Sequence, residues 1–221
     1  MTAAGNFGLI GQSINRLDLD AHTLTVNGAT DKEFMLCATT ITGTGTISVK
    51  SGKFCTRNSD STGEKCTISI GPNGKFENNK TFKVKNFVNN GTISYASGWG
   101  RGMLEVTGFF QSKTATLPAL TLRGATLKVV ADAVVTVEDA FKASGTITID
   151  ASDITKEHLD EAADERIPVL TVPASFLHLG VNWQVADSNI SGLRTRWVTD
   201  EGGETKTLFI CRSSGTRIII R

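Results

Sequence analysis

Apolar residues recur at every second position through a series of short runs, among them Ile47/Val49, Ile68/Ile70 and Val135/Val137. A period of two sends one set of side chains inward and the other outward, which predicts short half-buried β-strands. Glycine and asparagine separate the runs and supply the positive φ that tight turns require. The runs also resemble one another. HTLTVNG begins at His22, GTISVKSG at Gly45, CTISIGPNG at Cys66, GTISYASG at Gly91, ATLKVV at Ala125 and GTITID at Gly145. The threonine before each apolar position falls at Thr23, Thr46, Thr67, Thr92, Thr126 and Thr146, at intervals of 23, 21, 25, 34 and 20 residues.

Repeats of this length, each holding two or three short strands, predict an all-β fold built as a parallel β-helix, or solenoid. Equivalent residues of successive coils then stack in one column, with Ile47 over Ile68 over Ile93 and with Phe54, Phe76 and Phe87 beside them. The 34-residue interval is read as an insertion, or as an extra strand around LEVTGFF. An antiparallel β-sandwich also spaces strands regularly, but it has no need of a repeated phrase.

The texture changes near residue 150, which divides the chain into coils over 1–150 and a β-rich C-terminal cap over 151–221. The run ASDITKEHLDEAADERIP predicts one short helix at about 155–164, with Asp153 or Thr155 as N-cap and Pro168 as the stop. WVTDEGGETKTLFI predicts a hairpin turning at Gly202 and Gly203. Such a cap would cover the core and the unpaired backbone edge of the last coil.

Composition changes this picture little. The 23 basic and 22 acidic residues leave a formal charge of +1, which gives no electrostatic grip on nucleic acid. No apolar run reaches the 18 or so residues of a membrane-spanning helix. The first residues lack the basic and apolar regions of a signal peptide, so the chain is either cytoplasmic or a piece of a longer exported protein. Cys37, Cys55, Cys66 and Cys211 show no zinc-site spacing, so no metal or other cofactor is expected. Cys55 and Cys66 bracket a polar loop, either as a disulfide or as two thiols on neighbouring strands.

No catalytic constellation emerges. His22, His158 and His178 are far apart in the chain, and His158 lacks the HExxH spacing of a metalloprotease helix. Polysaccharide-cleaving β-helices need paired carboxylates, or acidic residues with Lys or Arg, on one face. Here Glu105, Asp132 and the other carboxylates do not recur at coil spacing. Tyr95, Trp99 and Arg101 share a glycine-rich stretch. They form either a sugar-stacking or protein-contacting patch or, through Trp99, a lid folded on the coils. Trp183 and Trp197 are assigned to the core of the cap.

The phrases LTVNGA, ITGTGTISVKSG, FVNNGTISYASG, LPALTLRGATLKVV and FKASGTITID resemble the passenger domains of bacterial autotransporters and the related proteins with autotransporter-associated β-strand repeats. The resemblance spans roughly residues 20–150. It implies a right-handed, single-stranded β-helix displayed outside the cell or on its surface, serving as a stalk or adhesive rather than as an enzyme. The implied partners are a glycan, a surface protein or further coils of a longer chain. The chain departs from that family in showing no export signal and no segment matching an outer-membrane barrel.

Overall fold

The computed structural model describes residues 2–3, 14–28, 38–56, 61–95, 102–177, 179–186 and 188–213. Its strands wind into a parallel β-solenoid of three walls, followed by a short antiparallel sheet. The first wall stacks Thr23–Asn27, the start of Thr46–Thr56, the middle of Ser61–Asn78, the end of Phe82–Asn89, Phe109–Ser112, Thr126–Lys128, Thr146–Asp150 and Asn182–Ala186. Its inward column runs Leu24, Ile47, Ile68, Phe87, Phe110, Leu127, Ile149, Val185. A parallel ladder keeps one register from coil to coil, about 4.8 Å apart, so one alternation of apolar and polar residues serves every rung.

Ile47 does stack over Ile68, but Ile93 does not continue the column. Phe87 does, and Ile93 pairs with Phe76 on the second wall. The phrase at Gly91 therefore repeats the first wall's wording on a different wall. Asn86 takes the expected place of a threonine, donating to Thr67 Oγ1 over 3.0 Å while its Oδ1 accepts the Phe109 amide. One side chain thus pins three successive coils. With Asn86 and Phe109 in register, the 34-residue interval holds no insertion, and LEVTGFF supplies two ordinary rungs, Met103–Val106 on the third wall and Phe109–Ser112 on the first.

Phenylalanine fills the interior. Phe54, Phe76, Phe82, Phe87 and Phe110 are fully buried. Phe76 touches three of the others, with ring centroids 5.7 Å from Phe54, 6.0 Å from Phe82 and 5.2 Å from Phe87. Such offset and tilted pairs add to the burial of large apolar surface.

The ladder crosses residue 150 without a break, since Thr146–Asp150 pairs in parallel with Asn182–Ala186. Between these strands the chain forms the helix Lys156–Glu161, capped by Thr155, whose Oγ1 accepts the His158 amide over 3.3 Å. His158 Nδ1 accepts the Thr155 amide in return over 3.1 Å, which completes a capping box with histidine in the usual place of glutamate. Pro168 is not what ends the helix. Ala162, extended at φ −73° and ψ 141°, ends it; Asp164 and Glu165, at φ 56° and 52°, then turn the chain, and Pro168 lies inside the strand Arg166–Pro173 at a register shift, where a missing amide is tolerated. That strand pairs in parallel with Val135–Ser144 but antiparallel with Thr205–Arg212, which in turn pairs with Leu193–Thr199. The hairpin turns at Asp200, whose Oδ1 accepts the Thr205 amide over 3.0 Å, with Gly203 at φ 71°.

Candidate functional site

Among the described residues two places gather polar chemistry, one on the second wall and one at the C-terminal sheet. On the second wall Lys53 pairs with Lys75, and Glu77 lies two residues further along the neighbouring coil. Residues in that diagonal relation reach one another across a ladder, and Lys53 Nζ donates to Glu77 Oε2 over 2.8 Å. Asn79 Nδ2 donates to the other carboxylate oxygen over 2.9 Å. All three residues are sealed in, at 4%, 5% and 1% exposure. Beside them Thr56 Oγ1 donates to Asn78 Oδ1 and accepts the Asn79 amide. Gly102 closes over this turn. A Cβ there would stand 2.5 Å from Lys80 O and 2.7 Å from Asn78 Oδ1, so only glycine fits without a shift.

Tyr95 follows directly on the strand Thr92–Ser94, whose last residue pairs with Glu77, so the tyrosine comes one position beyond the buried charge pair. It is exposed. Trp99 and Arg101, the other members of the expected patch, lie outside the described residues, as do His178 and Cys37. Cys55 and Cys66 are both buried and no bridge joins them, so of the two alternatives it is the two thiols on neighbouring strands that the structure holds. The register explains why: Cys55 pairs with Glu77 on the second wall, whereas Cys66 immediately precedes Thr67, the partner of Thr46 on the first. Burial pushes the Cys66 thiol up to about 11.

The second place is a cleft of about 850 Å³ between the turn at Asp132 and the start of the C-terminal sheet. Asp132, His158, Glu161, Asp164, Arg166 and Phe209 line it. Arg166 is bonded to Asp164 and lies 5.7 Å from the centre of the Phe209 ring. An adjoining hollow of about 390 Å³ shares Asp164 and Arg166 and adds Arg194, Arg196 and Arg212. Arg212 is held by Asp160 over 2.9 Å and Glu165 over 3.4 Å, so its charge, like that of Arg166, is matched locally. Glu105 belongs to neither hollow. It is tied to Arg123 over 2.9 Å on the third wall, away from Asp132. Trp183 and Trp197 pack edge to face at 5.5 Å against the core.

Sequence reasoning missed the Lys53–Glu77–Asn79 group, although a signal was present. Aligning GKFCT with GKFENN sets Lys53 diagonal to Glu77 and places Asn79 just past the shared strand. The class that the fold defines is the parallel β-solenoid. Comparison of the chain with family profiles, with curated proteins and with solved structures returns no match.

Proposed function

We propose that the chain is a non-enzymatic structural and adhesive segment of an exported bacterial surface protein, with its coils as a stiff scaffold and its exposed turns as the contact surface. The reading is carried by the unbroken inward column from Leu24 to Val185, a design that favours a stiff stack over a single deep site. The resemblance of residues 20–150 to autotransporter passenger domains supports the same role and an extracellular or cell-surface location. Tyr95, exposed beside the second wall, belongs to the contact surface, with Trp99 and Arg101 as its proposed companions. Antibody labelling of intact cells of the producing organism tests the location: labelling before permeabilisation is expected, and labelling only after it would refute the reading.

A second reading, binding or cleavage of a polysaccharide, draws on the cleft that sets Asp132, Glu161 and Asp164 near Arg166 and Phe209. Carboxylates and an arginine beside an aromatic ring suit polar and stacking contacts with sugar. Binding on a glycan array that Asp132→Ala abolishes, or turnover of a uronic-acid polymer that it abolishes, would favour this reading. Loss of array binding on Trp99→Ala alone would return the site to the Tyr95 patch.

A further inference from the structure

The geometry points to a self-catalysed amide bond between Lys53 and Asn79, formed within the folded chain with Glu77 as the proton carrier. Three observations place the parts. The lysine nitrogen and the asparagine side-chain amide share the two oxygens of one carboxylate, at 2.8 Å and 2.9 Å. All three residues are more than nine-tenths buried, so bulk water has little access to the group. Asn79 is also held in place, because its backbone amide donates to Thr56 O and to Thr56 Oγ1, each over 3.2 Å. An amine nucleophile, an amide carbon and a bridging acid are what the reaction requires.

The step balances with no outside reagent. Away from water an ion pair loses the solvation that favours its charges, and the Lys53 proton passes along its hydrogen bond to Glu77. The amine lone pair attacks Asn79 Cγ, and a new C–N bond forms. Glu77 delivers a proton to Nδ2, the old C–N bond breaks, and ammonia leaves. Of the protons that Lys53 and Asn79 bring, one stays on the new amide nitrogen, three depart in ammonia and one rests on Glu77. Nothing is oxidised or reduced. The product staples the strand Thr46–Thr56 to the turn that follows Ser61–Asn78, covalently joining two successive coils where otherwise only noncovalent contacts hold them.

The intact mass of the purified full-length chain reads this directly. Wild type is expected to be lighter than its sequence by one ammonia, and its digest to contain one branched peptide joined through Lys53 and Asn79. Asn79→Asp is expected to form the same link with loss of water instead. Glu77→Gln and Lys53→Met are expected to restore the full mass, with β-rich circular dichroism reporting that each variant still folds. Wild type at full mass overturns the proposal whatever the variants do. So does a loss of ammonia that maps to a succinimide at Asn27–Gly28, Asn73–Gly74 or Asn90–Gly91 with no branched peptide.

Discussion

The coil stack and the C-terminal sheet solve the same problem by different means. In the stack each inward residue meets its equivalent above and below, as Phe87 meets Ile68 and Phe110. One alternation of polar and apolar residues, repeated, is therefore enough to build the interior. In the C-terminal sheet the pairs are unlike: Trp197 faces Leu208, Thr195 faces Ile210, and Lys206 is buried against Phe176. An antiparallel hairpin here takes the place that the next parallel rung would occupy. The lesson is that repetition extends a parallel stack, while ending it takes particular residues.

The largest test of that difference is truncation of an aromatic in each region. Phe76→Ala removes a fully buried ring in contact with three others and should cost about 3–5 kcal/mol. Phe176→Ala, at 8% exposure and with ring contacts to Phe141 and Trp197, should cost less, at about the 3 kcal/mol lower end of that range. Guanidinium unfolding measures both, and equal losses would erase the distinction.

Glycines sharpen the comparison at smaller scale. A Cβ on Gly91 would lie 2.3 Å from Gly74 O and 2.4 Å from Gly71 O, backbone that cannot yield without opening the coils. Gly91→Ala should therefore cost more than about 2 kcal/mol. Gly203, in the hairpin, has nothing within 4 Å and only its φ of 71° to lose, so Gly203→Ala should cost about 1 kcal/mol. Thermal melts of the two variants should rank them in that order.

Two chemical readouts carry smaller effects. Cys66, with its thiol held up at about 11 by burial, should resist alkylation at neutral pH until the chain unfolds. Fast labelling of Cys66 in the native protein, located by peptide mapping, would place it outside the core. Asp18 and Asp200 mark the two regions' turns, and each has its carboxyl lowered, mainly by the backbone amides of Asp20 and Thr205 respectively. A folded value below the unfolded 3.8 means that each stabilises above that pH and that its contribution fades as the pH falls through the folded value. Both are solvent-exposed, so only a slight acid destabilisation is expected, and Asp18→Asn and Asp200→Asn should each reduce it.

The contrast also explains what was legible beforehand. The period-two runs and the repeated phrase identify strands and coils because, in the stack, sequence repetition and spatial repetition are one fact. They mislead at Gly91, where the same wording sits on another wall, since alternation marks which side chains face inward but not which wall they line. Asn86 and Phe109 were invisible to a search for threonine, although the register accepts them equally. Helix and hairpin were found from local capping and turn chemistry. The helix is shorter than the sequence predicts because it stops where Ala162 turns extended, and alanine, a strong helix former, gives no sign of a stop. The buried Lys53–Glu77–Asn79 group needs the alignment of two coils, and scanning for recurring carboxylates passes over it.

The register itself is the central claim, and nuclear Overhauser contacts in the isotope-labelled chain test it most directly. The account predicts parallel-ladder backbone contacts linking Ile68 to Phe87 and Phe87 to Phe110, together with contacts from the Ile68 methyls to the Phe87 ring. A ladder joining Ile68 to Ile93, or an antiparallel pattern between residues 67–70 and 86–89, would contradict it.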